Sequence, residues 1–249
     1  MNLQLQNKAV FVTGGTKGIG RAIAEAFYKE GARVVVSART KEGLESWYEE
    51  ISIVTGDLTK EAERERVFAE VTSHFGAIDI LINNVGGSNG AAIAETPLAL
   101  FHEAFELNFF SAVHFSKLVL PQMKKVGAGV IVNISSIFGR ESGGKATYNS
   151  AKAALISFTK SLADEVARDG IRVNGVAPGA ILHPTGNWQK RLEEDPEKIN
   201  TFVDEQIPGG RFGTPEEIAN VVLFLASPQA RWFMGATVNV DGGQSKGNF

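Results

Sequence analysis

Seven short apolar runs punctuate the chain, and each ends in small or polar residues. They are Ala9–Thr13, Arg33–Arg39, Ile51–Thr55, Ile78–Ile82, Val130–Ile134, Ile171–Ala177 and Ala236–Val240. Runs this short, rich in valine and isoleucine and bounded by turn residues, predict strands buried on both faces. Between them apolar residues recur at helical spacing, as at Ile23, Ala24, Phe27 and Tyr28. Leu98–Met123 predicts one long helix whose Phe101, Phe105, Phe109, Phe110 and Phe115 would bury it on more than one side. Further helices are predicted over Thr147–Ala167 and Pro215–Ala226. Alternation of strand and helix predicts the α/β class, with seven parallel strands in one doubly wound sheet flanked by helices and residues 1–249 forming a single domain. Only the segment of about 180–213 breaks the rhythm, with Trp188, Leu192, Ile199, Phe202, Val203 and Ile207 among charges. It reads either as a lid whose Trp188 and Phe202 cover a substrate or as a helical excursion packed on the core.

The chemistry gathers at strand ends. Gly14-Gly15-Thr16-Lys17-Gly18-Ile19-Gly20 lies between a strand and a helix. Glycines let the backbone turn tightly and approach a phosphate, and the helix N-terminus offers unpaired N–H groups. The second strand ends in Ala38 and Arg39, where an acid would accept from the 2′-hydroxyl of NAD. With no carboxylate there, and with Lys17 and Arg39 able to pair with a 2′-phosphate, NADP(H) is favoured. Asp57 and Leu58 follow the third strand, the aspartate suited to the adenine edge, to capping the next helix, or to both. Asn84, Val85 and Gly86 follow the fourth strand and would line the far side of the groove. Asn108, inside the phenylalanine-rich helix, is either a satisfied core amide or a water site.

Tyr148 and Lys152 stand four apart on a predicted helix and share a face. An ammonium beside a phenol favours the ionised phenol, so Tyr148 is expected to titrate lower than usual and to serve as acid and base. Ser136 ends the fifth strand, where it would face Tyr148 across a pocket.

Composition narrows the setting. Net charge is -3 with no blocks of like charge, so nothing suggests a nucleic-acid surface. The absence of cysteine excludes thiolate metal sites, and the four histidines show no ligand spacing, so no metal is expected. Apolar runs are too short to span a bilayer, and the N-terminus lacks signal-peptide character; the expectation is a cytoplasmic protein.

Together Thr13-Gly14-x-x-x-Gly18-Ile19-Gly20, Asp57, Asn83-Asn84-Val85-Gly86, Asn108, Ser136, Tyr148-x-x-x-Lys152, Asn174, Pro178-Gly179 and Asp241-Gly242-Gly243 closely resemble the short-chain dehydrogenase/reductase family over nearly the whole chain. The resemblance implies a Rossmann-type fold and hydride transfer between NADP(H) and a carbonyl or alcohol. It implies Tyr148 as general acid/base, Lys152 lowering its pKa and holding the nicotinamide ribose, Ser136 positioning the carbonyl and Asn108 anchoring a relay water. Pro178, Gly179 and Ile181 would complete the cofactor site. It also implies a homotetramer, built through the phenylalanine-rich and Tyr148 helices at one interface and the C-terminal region at another. Val85 departs from the family's usual alanine, and His183 from the threonine that holds the nicotinamide carboxamide. His183 would donate that bond, respond to pH, or face solvent. Three functions follow: reduction of a small or medium, fairly apolar ketone; reduction of 3-oxoacyl-[acyl-carrier-protein]; or NADP sensing without catalysis. The carrier reading expects basic residues in the turns before the fifth and sixth strands, where Gly127 and Asp169 stand, although Lys124, Lys125 and Arg168 are near. The sensing reading expects loss of part of the set Asn108, Ser136, Tyr148 and Lys152, all of which are present.

Overall fold

All seven predicted strands pair in one parallel sheet of order β3-β2-β1-β4-β5-β6-β7 in the computed structural model, which describes residues 2–41, 47 and 51–247. The strands are β1 (Ala9–Val12), β2 (Arg33–Ala38), β3 (Ser52–Thr55), β4 (Ile80–Asn83), β5 (Gly129–Ile134), β6 (Ile171–Pro178) and β7 (Thr237–Val240). Their side chains alternate between two cores, as the period of a strand requires. Val10, Val12, Val34 and Val36 join one core, and Phe11, Val35 and Leu81 join the other. Helices α1 (Gly18–Lys29) and α8 (Pro215–Ala226) close the first side through Ile23, Phe27, Ile218 and Val222. The second side is closed by α2 (Glu61–Phe75), α4 (Ser111–Val126) and α5 (Ala146–Val166), through Val67, Phe115 and Leu162.

Strand order reverses between β1, paired on its other side with β2, and β4, which continues to β5. Chains leave these neighbouring strand ends in opposite directions and open a crevice. Thr13 stabilises its floor, its hydroxyl accepting from the Asn84 and Val85 amides at 2.9 and 3.0 Å. The described residues contain no helix long and apolar enough to cross a membrane.

The expected long helix over Leu98–Met123 is divided. Helix α3 (Leu98–Phe105) passes through a π turn, Glu106–Phe110, before α4 begins. Asn108 sits in that turn, its amide donating to Gly87 O and Ala104 O at 2.9 Å each while its Oδ1 accepts from Gly87 N at 3.0 Å. A widened turn swings one side chain out of the regular helical positions. Asn108 uses that freedom to clasp the loop after β4. Phe109 meets Phe105 edge-on and Phe110 meets it at a tilt, so the rings stay together through the interruption.

The segment between β6 and α8 forms α6 (Asn187–Glu194) and α7 (Pro196–Gln206). Trp188 stacks on Phe202 at 4.7 Å and touches Phe212 at 5.3 Å, and Ala180, Val203 and Ile207 complete a small core.

Candidate active site

A cleft of about 1840 Å³ runs along the strand ends, from Arg39 and Asp57 at one end to Ser136 and Tyr148 at the other. The glycine turn at its centre is shaped by close approach. Gly14 has φ +65, and a β-carbon on Gly20 would stand 2.3 Å from Gly14 O, which no side chain tolerates. Lys17, the residue before α1, makes no side-chain cap, so the first N–H groups of that helix face the cleft without an internal acceptor. This is a cradle for a phosphate. Thr16, Lys17, Gly18, Ile19 and Arg39 all line it, together with Leu58. A dinucleotide therefore fits the residues present: phosphates at the turn, adenosine toward Arg39 and Asp57, nicotinamide toward Tyr148.

Asp57 does not cap α2, whose first position follows Lys60 with no side-chain cap; it closes the turn before the helix instead. Its Oδ1 accepts from the Thr59 hydroxyl at 2.7 Å and the Thr59 amide at 3.2 Å. The Thr59 hydroxyl bond, helped by Lys60, holds its carboxyl below the usual range. Across the crevice Asn84 donates to Thr13 O and Gly14 O at 2.9 and 3.1 Å, bracing the glycine turn against β4. Val85 and Gly86 follow it along the wall, and Pro178, Gly179 and Ile181 face them from the end of β6.

Ser136, Tyr148 and Lys152 converge where β5 meets α5. Ser136 and Tyr148 both line this end of the cleft, and the Ser136 side chain is near enough to favour the ionised phenol. Lys152 is almost wholly buried, and its Nζ donates to Ile134 O at 2.8 Å, 5.6 Å from the Tyr148 ring centre. The electrostatics correct the simple expectation. Burial pushes the Tyr148 phenol up rather than down, with only the Ser136 side chain pulling the other way. Burial also lowers Lys152 to about 7. A low-dielectric pocket disfavours both charged forms, and turning the ammonium to a backbone carbonyl weakens its hold on the phenol. Gly86 fits between Asn108 and Lys152: a β-carbon there would meet Asn108 Oδ1 at 2.7 Å and Lys152 Nζ at 3.2 Å.

His183 is not a solvent group. Its ring packs on Gly18, where a β-carbon would stand 2.8 Å from Cε1 and Nε2, and its Nδ1 lies 3.3 Å from the Thr185 hydroxyl. Burial moves the imidazole below its usual value. Trp188 and Phe202 line the cleft while stacking on each other, in helices that pack around a small core of their own. Ile93, Leu107 and Arg191 also line it and escaped the sequence reading, because none lies in a motif.

Comparison with known proteins agrees with this architecture. The family described as enoyl-(acyl carrier protein) reductase matches residues 14–245. A 3-oxoacyl-[acyl-carrier-protein] reductase of Vibrio cholerae is 38% identical over 246 residues, 97% of this chain and 98% of its own. The chain is a short-chain dehydrogenase/reductase. The 7alpha-hydroxysteroid dehydrogenase of Escherichia coli strain K12 is likewise 38% identical, over 97% of this chain and 96% of its own. Among solved structures, L-sorbose reductase of Gluconobacter frateurii, complexed with NADPH and L-sorbose, superposes with a TM-score of 0.92 at 34% identity, covering 99% of this chain and 100% of that one. These relatives of one oxidoreductase family thus carry carrier-bound, steroid and sugar names.

Proposed function

We propose that this oxidoreductase uses NADP(H) to reduce a free, largely apolar ketone, or to oxidise the corresponding alcohol. The observation that carries the reading is the placing of Ser136, Tyr148 and Lys152 together at the end of a cleft shaped for a dinucleotide. NADPH, when bound, supplies the hydride. As a carbonyl is reduced, negative charge grows on its oxygen, and Ser136 and Tyr148 present hydroxyls to meet it. Tyr148 gives up its proton to that oxygen, and the raised phenol keeps the proton in place until then. Lys152 and Asn108 complete the set: Lys152 toward the ribose and the phenol, Asn108 as the brace of the loop at Gly87. Lys17 and Arg39 serve the 2′-phosphate, and His183, against Gly18, serves the phosphate side of the cleft and not the carboxamide.

The substrate end supports an apolar ketone. Ile93, 70% exposed, forms a lip with Ala91 and Ala92, and Phe138, Trp188 and Phe202 line the same cleft. The carrier reading loses its nearest basic residue, because Lys124 is paired with Asp169 at 3.2 Å and with Glu165 at 4.0 Å. An acidic carrier would meet a neutralised patch there. The test is NADPH oxidation with an acetoacetyl thioester and with cyclic and aryl ketones at matched concentration. Higher kcat/KM on the free ketones supports the reading, and a strong preference for the thioester overturns it. Tyr148→Phe should bind NADPH nearly as the parent does while losing at least about 100-fold in turnover.

A further inference from the structure

We infer that Arg64 is a positioning residue that ties the two ends of the cleft into one unit, joining the turn at Leu58 to the π turn that carries Asn108. This rests on the reading of the cleft as an NADPH site in which Asn108 belongs to the working set.

Arg64 lies on α2, a helix that is otherwise largely solvated, yet it is only 5% exposed. A buried guanidinium must spend its donors on acceptors or pay for their desolvation. Its donors go to three different elements. One reaches Leu58 O at 2.9 Å, in the turn that lines the adenosine end. Another reaches Glu106 Oε2 at 3.0 Å, in the first position of the π turn. A third reaches His114 Nδ1 at 3.1 Å, one turn into α4. On the outer side, carboxylate oxygens of Glu61 and Glu65 and a ring nitrogen of His114 lie within 4.8 Å of one another.

The consequence follows the hydrogen bonds. Leu58 neighbours Asp57 at the adenosine end, and Glu106 stands two residues before Asn108. Asn108 in turn clasps Gly87 through both of its amide atoms, next to Lys152 and the substrate end. A π turn has one residue more than the α-helical register around it, so an external restraint is needed to say which residue is swung out. The Arg64 to Glu106 bond is such a restraint. Leu58 lines the adenosine end, and through Arg64 the aim of Asn108 depends on that turn.

The test uses the full chain, with Arg64→Met, Arg64→Lys and Glu106→Gln each made alone and with Asn108→Ala. Steady-state kinetics with NADPH and one accepted ketone are measured on protein shown folded by circular dichroism. Arg64→Met is expected to lower kcat about tenfold and to raise KM for NADPH severalfold, with KM for the ketone unchanged. Arg64→Lys, which keeps the charge and one bond, should recover part of kcat. In the Asn108→Ala background, Arg64→Met should change kcat by less than about twofold, because the residue it acts through is gone. An equal loss in both backgrounds, or a lower melting temperature with kcat intact, overturns the inference. Should Arg64→Met fail to fold, Glu106→Gln, at a partly exposed side chain, carries the same comparison. A parent protein that turns over no ketone would defeat the proposed function instead. NADPH affinity by fluorescence would then decide: weakening that Asn108→Ala abolishes supports the tie, and independent losses overturn it.

Discussion

Burial, more than pairing, sets the charge state of the two ionisable groups at the reacting end. Lys152 in the folded chain titrates at about 7, below the 10.5 of an unconstrained lysine. Between those values the unfolded chain holds a proton that the folded chain has released, so stability rises with pH across that window and is lowest beneath it. Lys152→Met removes this dependence. Urea unfolding of the parent and the variant at about pH 6.5 and about pH 9.5 should show the parent gaining relative to the variant by a few kcal/mol, on the order of 3–4. No relative gain would mean that Lys152 keeps its charge when folded. At the other end Arg39 is exposed and lines the cleft beside Lys17. Arg39→Asp places a carboxylate where a 2′-phosphate would sit and should shift the NADPH to NADH preference, measured as a ratio of kcat/KM, by at least about 100-fold toward NADH. A preference left unmoved would take Arg39 out of cofactor choice. The sequence made Tyr148, Lys152 and Ser136 legible as neighbours because helix spacing and strand ends dictate proximity. Their protonation was not legible, because it depends on how deeply the surrounding helices bury them.

Helices differ in how they are held, and the differences predict which will fail first. Thr214 and Glu217 form a reciprocal capping box at α8, and Arg211 grips Glu217 at 2.6 and 3.0 Å. The first bond of Arg211, with the Thr214 amide, holds the Glu217 carboxyl down to about 2. Thr214→Ala should cost about 1 kcal/mol by chemical denaturation, since α8 shares with α1 the closing of one side of the sheet. An unchanged midpoint would show that burial alone holds the helix start. The far end of α8 is held differently, by buried Arg172 donating to Leu225 O, Ala226 O, Ser227 O and Ala230 O. Strands and most helix bounds were readable from periodicity and turn residues. The π turn at Glu106–Phe110 was not, because one extra residue leaves no mark on a pattern that already carries phenylalanine on several sides. The position of His183 was hidden for another reason: its contact with Gly18 crosses 165 residues of chain, and no local rule spans that distance.

For the whole molecule the outstanding feature is apolar surface that the monomer leaves uncovered. Trp232 is 95% exposed, with Phe233 at 39% and Met234 at 41% beside it in the turn before β7. Phe110, at the end of the π turn before α4, is 44% exposed. Isolated exposed apolar residues are ordinary, whereas three consecutive ones at the edge of a sheet are the kind of patch that association buries. The Trp232 patch at one interface, with a second contact through the phenylalanine-rich helix that carries Phe110, would permit two interfaces and hence a dimer of dimers, the closed arrangement that two kinds of self-complementary contact generate. We therefore predict a tetramer in solution, with the Trp232 turn at one interface. Sedimentation equilibrium of the parent should give about four times the chain mass, and Trp232→Glu should shift it to about half of that while Tyr148, which lines the cleft, keeps its environment. The comparison separates two meanings of the patch. If Trp232→Glu leaves the mass unchanged, the turn is bare surface and the C-terminal region contributes no contact. If the parent is monomeric at micromolar concentration, both surfaces are free and the cleft works without neighbours.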